Sequence, residues 1–199
     1  MNLPQLIDGL QRPASGQDID RAVAKIGRPL PPELRELYLL HDGETEKGVG
    51  LFFGLPFIPL QRLIDERQVW DDVEADVGSD PMMSEFLTST PETSIKLAYA
   101  NRGWLPISID WSGNHIGIDT DPGSSGKYGQ IINFGRDEDN MFVIAPSLAA
   151  FLGWVADSLE EGNYRIQFGS EFAPCGVDFA LREPENEHFL DTVSKLYPR

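Results

Sequence analysis

The chain has 199 residues, 41% hydrophobic and 24% charged, enough apolar material for a substantial core and too much for wholesale disorder. Its formal net charge is −16, with a pI near 4.4. Such a surface repels phosphate backbones and anionic headgroups, which disfavours nucleic-acid and membrane-surface binding; it attracts a basic protein or a cation. One cysteine, Cys175, excludes an intramolecular disulfide. The first residues carry no basic, apolar leader pattern, and no run approaches the ~20 apolar residues of a membrane span, so the cytoplasm is the expected location.

In chain order, Leu3, Leu6, Ile7 and Leu10 fall at helical spacing, limited by Gly9 and Pro13. Ser15 with Asp18 three residues on is a capping signal for a helix with Ile19, Val23 and Ile26 on one face, ending at Gly27. Leu30 to Gly43 contains the clearest helix. Pro31 and Pro32 suit its first turn, and Leu30, Leu34, Leu37, Tyr38 and His41 share a face, where His41 is expected to be a hydrogen-bonded structural histidine. Gly43 can take the left-handed C′ conformation that ends the helix. Gly50–Phe53 has the character of a short strand. From Leu60 to about Val77 the period is again helical, with Asp65, Glu66, Asp71, Asp72, Glu74 and Asp76 making an acidic face around Trp70. Residues 78–93 mix turn formers with Met82, Met83, Phe86 and Leu87, as a loop with one short helix would.

Four strand-like runs follow, Trp104–Asp110, His115–Asp119, Gly129–Gly135 and Met141–Ile144, joined by turn chemistry at Asp110–Asn114 and Asp121–Gly126. Short consecutive strands imply an antiparallel meander. Ser147 can cap a helix with Leu148, Phe151, Leu152, Val155 and Leu159 inside, ending at Gly162. Val177–Leu181 is strand-like, and a last helix runs from Pro184 to about Leu196. The expected fold is α+β, an antiparallel-rich meander flanked by N-terminal, middle and C-terminal helices.

Reaction chemistry is thinly represented. The run Gly48–Gly54 resembles a dinucleotide loop, but its spacing is wrong and a helix precedes it. The run Gly123–Tyr128 resembles a phosphate loop but lacks the glycine required at Asp121 and the hydroxyl required at Tyr128. Asp110, Asp119 and Asp121 lie near strand ends and are weak candidates for a cation site or a metal-dependent hydrolase, although aspartate beside Gly and Pro is usually a turn former. Ser108 and Ser112 lack a nucleophile-elbow context. Nothing in the sequence brings Cys175 together with His115 or His188. No catalytic residue and no cofactor is therefore assigned. The acidic helix face is either solvated or a docking surface for a basic partner. Asp65, Glu66, Trp70, Asp71, Asp72 and Glu74, with Trp111 in the turn beyond, are the candidate partner-binding residues.

The stretch Leu30-Pro31-Pro32-Glu33-Leu34-Arg35-Glu36-Leu37-Tyr38-Leu39-Leu40-His41-Asp42-Gly43 resembles the signature of the SUKH superfamily. That signature is a Leu-Pro helix ending in an aromatic, followed by Asn-Gly or a close relative. The resemblance continues through Leu51-Phe52-Phe53-Gly54 and resumes at Trp104-Leu105-Pro106-Ile107, Asp110, Gly113, Ile116, Asp119, Gly129-Gln130-Ile131-Ile132, Ser147 and Phe151-Leu152. It covers about residues 18–160 of what is expected to be one domain. Residues 78–100 look like an insertion, and 164–199 like a C-terminal extension. The superfamily includes fungal cell-wall-assembly regulators and bacterial toxin-immunity proteins, and it carries no catalytic residues to transfer. The resemblance implies a non-catalytic binding module. Its first expectation is an immunity protein for a basic, nuclease-type toxin; the alternative is a regulator or scaffold of cell-wall assembly.

Overall fold

A computed structural model describes residues 4–77, 81–169, 176–185 and 188–196. Three helices open the chain: α1 (Pro4–Asp8), α2 (Gly16–Ile26) and α3 (Pro32–Leu40). α2 begins with the expected capping box. The Ser15 side chain accepts from the Asp18 N–H, and the Asp18 carboxylate accepts from the Ser15 N–H at 3.1 Å. α3 buries Leu34 and Tyr38, and the Tyr38 hydroxyl donates to Ile58 O at 3.1 Å. Its cap is His41 in an extended conformation, with Nδ1 2.9 Å from Gln11 O. Gly43 (φ +72°) therefore lies beyond the helix end, and it serves a close approach. A Cβ there would collide with the backbone of Ile58 and Pro59.

α4 (Leu60–Val77) has the expected bounds, and Asp42 Oδ1 accepts from the Leu60 N–H at its start. A short 3-10 turn (Pro81–Met83) precedes β1 (Thr88–Thr90). The meander is β2 (Trp104–Ile109), β3 (Asn114–Asp119), β4 (Gln130–Gly135) and β5 (Asn140–Ala145). The sheet order is β1-β5-β4-β3-β2. Its meander pairs are antiparallel, and β1 adds to β5 in parallel, so the stretch expected to be a loop contributes an edge strand.

The sheet is covered on both faces. Leu105, Ile107, Ile116, Ile118, Ile131, Phe142 and Ile144 join a core with α2, α3 and α5 (Leu148–Glu160), the last capped by Ser147. Trp104, Ile132, Phe134 and Met141 join a second core closed by Trp70 of α4 and by Leu87, Ile95 and Ala100. Residues 87–100 thus line the second core. At the C-terminal end, β6 (Tyr164–Phe168) pairs with β7 (Val177–Leu181), and α6 (Phe189–Leu196) follows. β6 is a strand the sequence pattern did not announce. Phe179 stacks on Phe53 and Phe189 packs tilted against it, with ring centroids 5.5 and 5.7 Å away, so this segment shares the first core.

The expected strand at Gly50–Phe53 is instead a tight loop around a buried carboxylate. Glu44 is 4% exposed and accepts from the N–H groups of Gly50 (3.2 Å), Leu51 (2.8 Å) and Phe57 (2.7 Å). Those amides point inward at one residue, so they do not form a ladder. Gly50, Phe53 and Gly54 all take positive φ to close the loop. Burial raises the Glu44 carboxyl above its ordinary range, against these three hydrogen bonds.

Candidate protein-interaction surface

The acidic helix separates into a buried and an exposed side. Trp70 follows Leu63 by two helical turns and is only 6% exposed. Its Nε1–H donates to His115 Nε2 at 2.9 Å, and it packs edge-on against the His115 and Phe134 rings. The expectation of an exposed aromatic anchor at the centre of this face is corrected: Trp70 is core. Glu66 is buried too, pairing with Arg62 at 2.7 Å and lying 3.6 Å from His115 Nε2. Burial raises its carboxyl above the ordinary value. Asp71 pairs with buried Arg67, whose Nη1 donates to Trp104 O at 3.2 Å, and Glu74 pairs with Arg102 at 2.7 Å. Asp65 and Asp72 are exposed, each accepting from the glutamine one turn earlier, Gln61 and Gln68. Much of the sequence's acidic face is thus matched by internal partners.

His115 shows why no base is on offer among these groups. Its Nδ1–H donates to Ser108 O at 3.1 Å while Nε2 accepts from Trp70, which fixes a neutral tautomer with both nitrogens engaged. Burial holds its pKa down at about 4. The Ser108 hydroxyl is buried without a hydrogen-bond partner. His188 lies 3.7 Å from Asp110, and Cys175 falls outside the described residues.

The three candidate cation ligands do not converge. Asp110 bonds Asn114 at the start of β3 and Asp119 ends that strand, which puts them about 17 Å apart along the strand direction. Each has a structural task. Asp110 accepts from the N–H groups of Ser112 (2.7 Å) and Asn114 (2.8 Å) and from Asn114 Nδ2 (2.9 Å), locking the β2–β3 turn. Asp119 accepts from the Asp121 N–H and from Gln130 Nε2, both at 2.9 Å; burial raises its pKa to about 6. Asp121 pairs with Lys96, which holds its carboxyl below the usual range. No group of three or more metal-ligating side chains occurs among the described residues. In the 123–127 loop, the Gly123 and Ser125 amides donate to Ser94 O (3.0 Å) and Thr93 O (3.2 Å), so they do not face a phosphate.

Trp111 is the opposite of Trp70. It stands at the tip of the β2–β3 turn, 88% exposed. The turn is tied to the β4–β5 turn: the Asp137 N–H donates to Asn114 Oδ1 at 2.9 Å. Asp137 and Asp139 are exposed on that second turn, and Asp191 is exposed on α6. Glu138, unremarked in the sequence, bonds Asn133; its pKa is pushed to about 7 by burial and by the charges of Asp110, Asp191 and Asp137. The only hint of these neighbours in the chain was charge density in Arg136-Asp137-Glu138-Asp139, because Asp110 and Asp191 reach them through the fold.

Trp111 is thus the one tryptophan that this α+β layer fold leaves projecting into solvent. The SMI1 / KNR4 family (SUKH-1) profile matches residues 13–154, and the chain belongs to that family. It is 30% identical to a KNR4/SMI1 homolog of Yarrowia lipolytica, over 84% of this chain and 30% of that protein. It is 33% identical to the cell wall biosynthesis/cell cycle regulator smi1 of Schizosaccharomyces pombe, over 77% of this chain and 32% of that protein. The cell wall assembly regulator SMI1 of Saccharomyces cerevisiae is 32% identical over 82% of this chain and 38% of its own length. The chain thus spans about a third of the length of these relatives. No helix among the described residues is long and apolar enough to cross a membrane.

Proposed function

We propose that this chain is a non-catalytic protein-binding module that regulates cell-wall or envelope assembly from the cytoplasm. The observation that carries the reading is its match to regulators of that process over about four-fifths of the chain. The physical arrangement supports it, since His115 has both ring nitrogens engaged and Asp110 stands a strand's length from Asp119 and Asp121. The whole chain acts as one domain, with 164–196 completing the core. Deleting its gene in the source organism tests the reading. The expected result is hypersensitivity to wall-perturbing agents, restored by the intact chain. Unchanged tolerance, with the protein demonstrably expressed in the parent, contradicts it.

A second reading, an immunity protein that occludes a basic toxin domain, draws support from the −16 charge and the SUKH membership. It predicts a salt-sensitive complex with a toxin domain encoded beside it. A failure to bind any such domain at low salt removes it.

A further inference from the structure

We propose that the tips of the β2–β3 and β4–β5 turns, centred on Trp111, dock an arginine- or lysine-bearing segment of another protein. The inference rests on the reading of the chain as a protein-binding module and says where and what it binds.

An indole left 88% in water on a turn this firmly held contributes little to folding. Asp110 takes three hydrogen bonds inside the turn, and Asn114 clamps the neighbouring turn to it, so Trp111 is presented by a preorganised backbone. Aromatic side chains held this way lose little entropy on binding and dominate interface energies.

The surroundings select the partner's chemistry. Asp137, Asp139 and Asp191 are exposed here, and Asp110 and Glu138 lie beneath them. The cations at hand are Arg136 and, when protonated, His188. The carboxylates act on one another: Asp110, Asp191 and Asp137 each help hold Glu138 above its ordinary value. A guanidinium or ammonium over the indole face gains a cation–π contact and relieves that repulsion at once. Polyanions are repelled by the same charges. The α4 face lacks this combination, because Trp70 is inside and Asp71 and Glu74 already pair with arginines.

The test uses the intact chain carrying 5-fluorotryptophan, which gives one 19F resonance for each of its four tryptophans. The probe is a synthetic peptide of arginines spaced by glycine and serine, with a glutamate-for-arginine peptide as control. The expected result is that the arginine peptide moves the Trp111 resonance, assigned by its loss in Trp111→Phe, and leaves those of Trp70 and Trp104 in place. Trp111→Ala weakens binding about tenfold, and Asp137→Asn with Asp191→Asn flattens its salt dependence. Asp65→Asn with Asp72→Asn on α4 changes neither. The proposal is overturned if Trp111→Ala binds like the parent, or if the α4 pair abolishes binding. A wall phenotype fully rescued by Trp111→Ala would remove this surface while leaving the regulatory reading intact. Binding lost in Trp111→Ala without any wall phenotype on deletion would do the reverse.

Discussion

Trp70 and Trp111 each have an aspartate as a sequence neighbour, yet the fold treats them as opposites. Around Trp70, each charged group among Glu66, Arg67, Asp71 and Glu74 has a counter-charge within the chain, and the indole N–H has an acceptor. Around Trp111 the indole is bare and the carboxylates face one another. Acidity and an aromatic together do not mark a surface; internal partners decide which such stretch is available to another molecule.

The comparison can be broken most forcefully at Trp70. Trp70→Ala should cost about 3–5 kcal/mol of unfolding free energy, because it opens a cavity in the second core and leaves His115 Nε2 without its donor. Denaturant unfolding measures this, and a loss below about 1 kcal/mol would mean the indole is not core. Next in size is Glu44→Ala, which leaves three inward-facing amides unsatisfied and should cost about 2–4 kcal/mol.

The two regions should also respond to pH in opposite senses. His115 has a folded pKa of about 4, below the ordinary 6.5, so the unfolded chain binds the extra proton. Its contribution is intact above pH 6.5 and is lost as pH falls toward 4, by up to about 3 kcal/mol. Glu138, with a folded pKa of about 7 against 4.5, behaves the other way. The folded chain holds the extra proton, and stability falls as pH rises from 4.5 through 7. Glu138→Gln should therefore stabilise the protein by about 1–2 kcal/mol at pH 8 and change little at pH 4. Thermal unfolding at the two values checks this, and an equal effect at both would contradict the charge-crowding account. The smallest effect belongs to Trp111→Ala, whose unfolding free energy should lie within about 0.5 kcal/mol of the parent.

Much of this layout is legible in the chain. The α4 bounds, the Ser15–Asp18 box, the Ser147 cap and the four meander strands follow from period and turn residues, because those signals are local. β1 is not legible: Thr-Ser-Thr has no apolar alternation, and its partner β5 lies some fifty residues on. Phe52 and Phe53 look like strand because their β-propensity is high, whereas Glu44 draws the local amides inward. Trp70 falls on the Leu63–Arg67 stripe, so its burial is written in the spacing, and only the flanking acids suggest exposure. The Trp111 neighbourhood needs the fold, since Asp110, Asp137 and Asp191 come from three separate segments.

The central claim is that this module meets its partner at the turn tips and not along α4. A photo-crosslinking amino acid placed at position 112, beside an intact Trp111, and separately at position 72, in the source organism tests it most directly. The account predicts an adduct at 112 to a partner segment rich in arginine and lysine, with none at 72. Adducts at 72 alone, or at 112 to acidic segments, would contradict it.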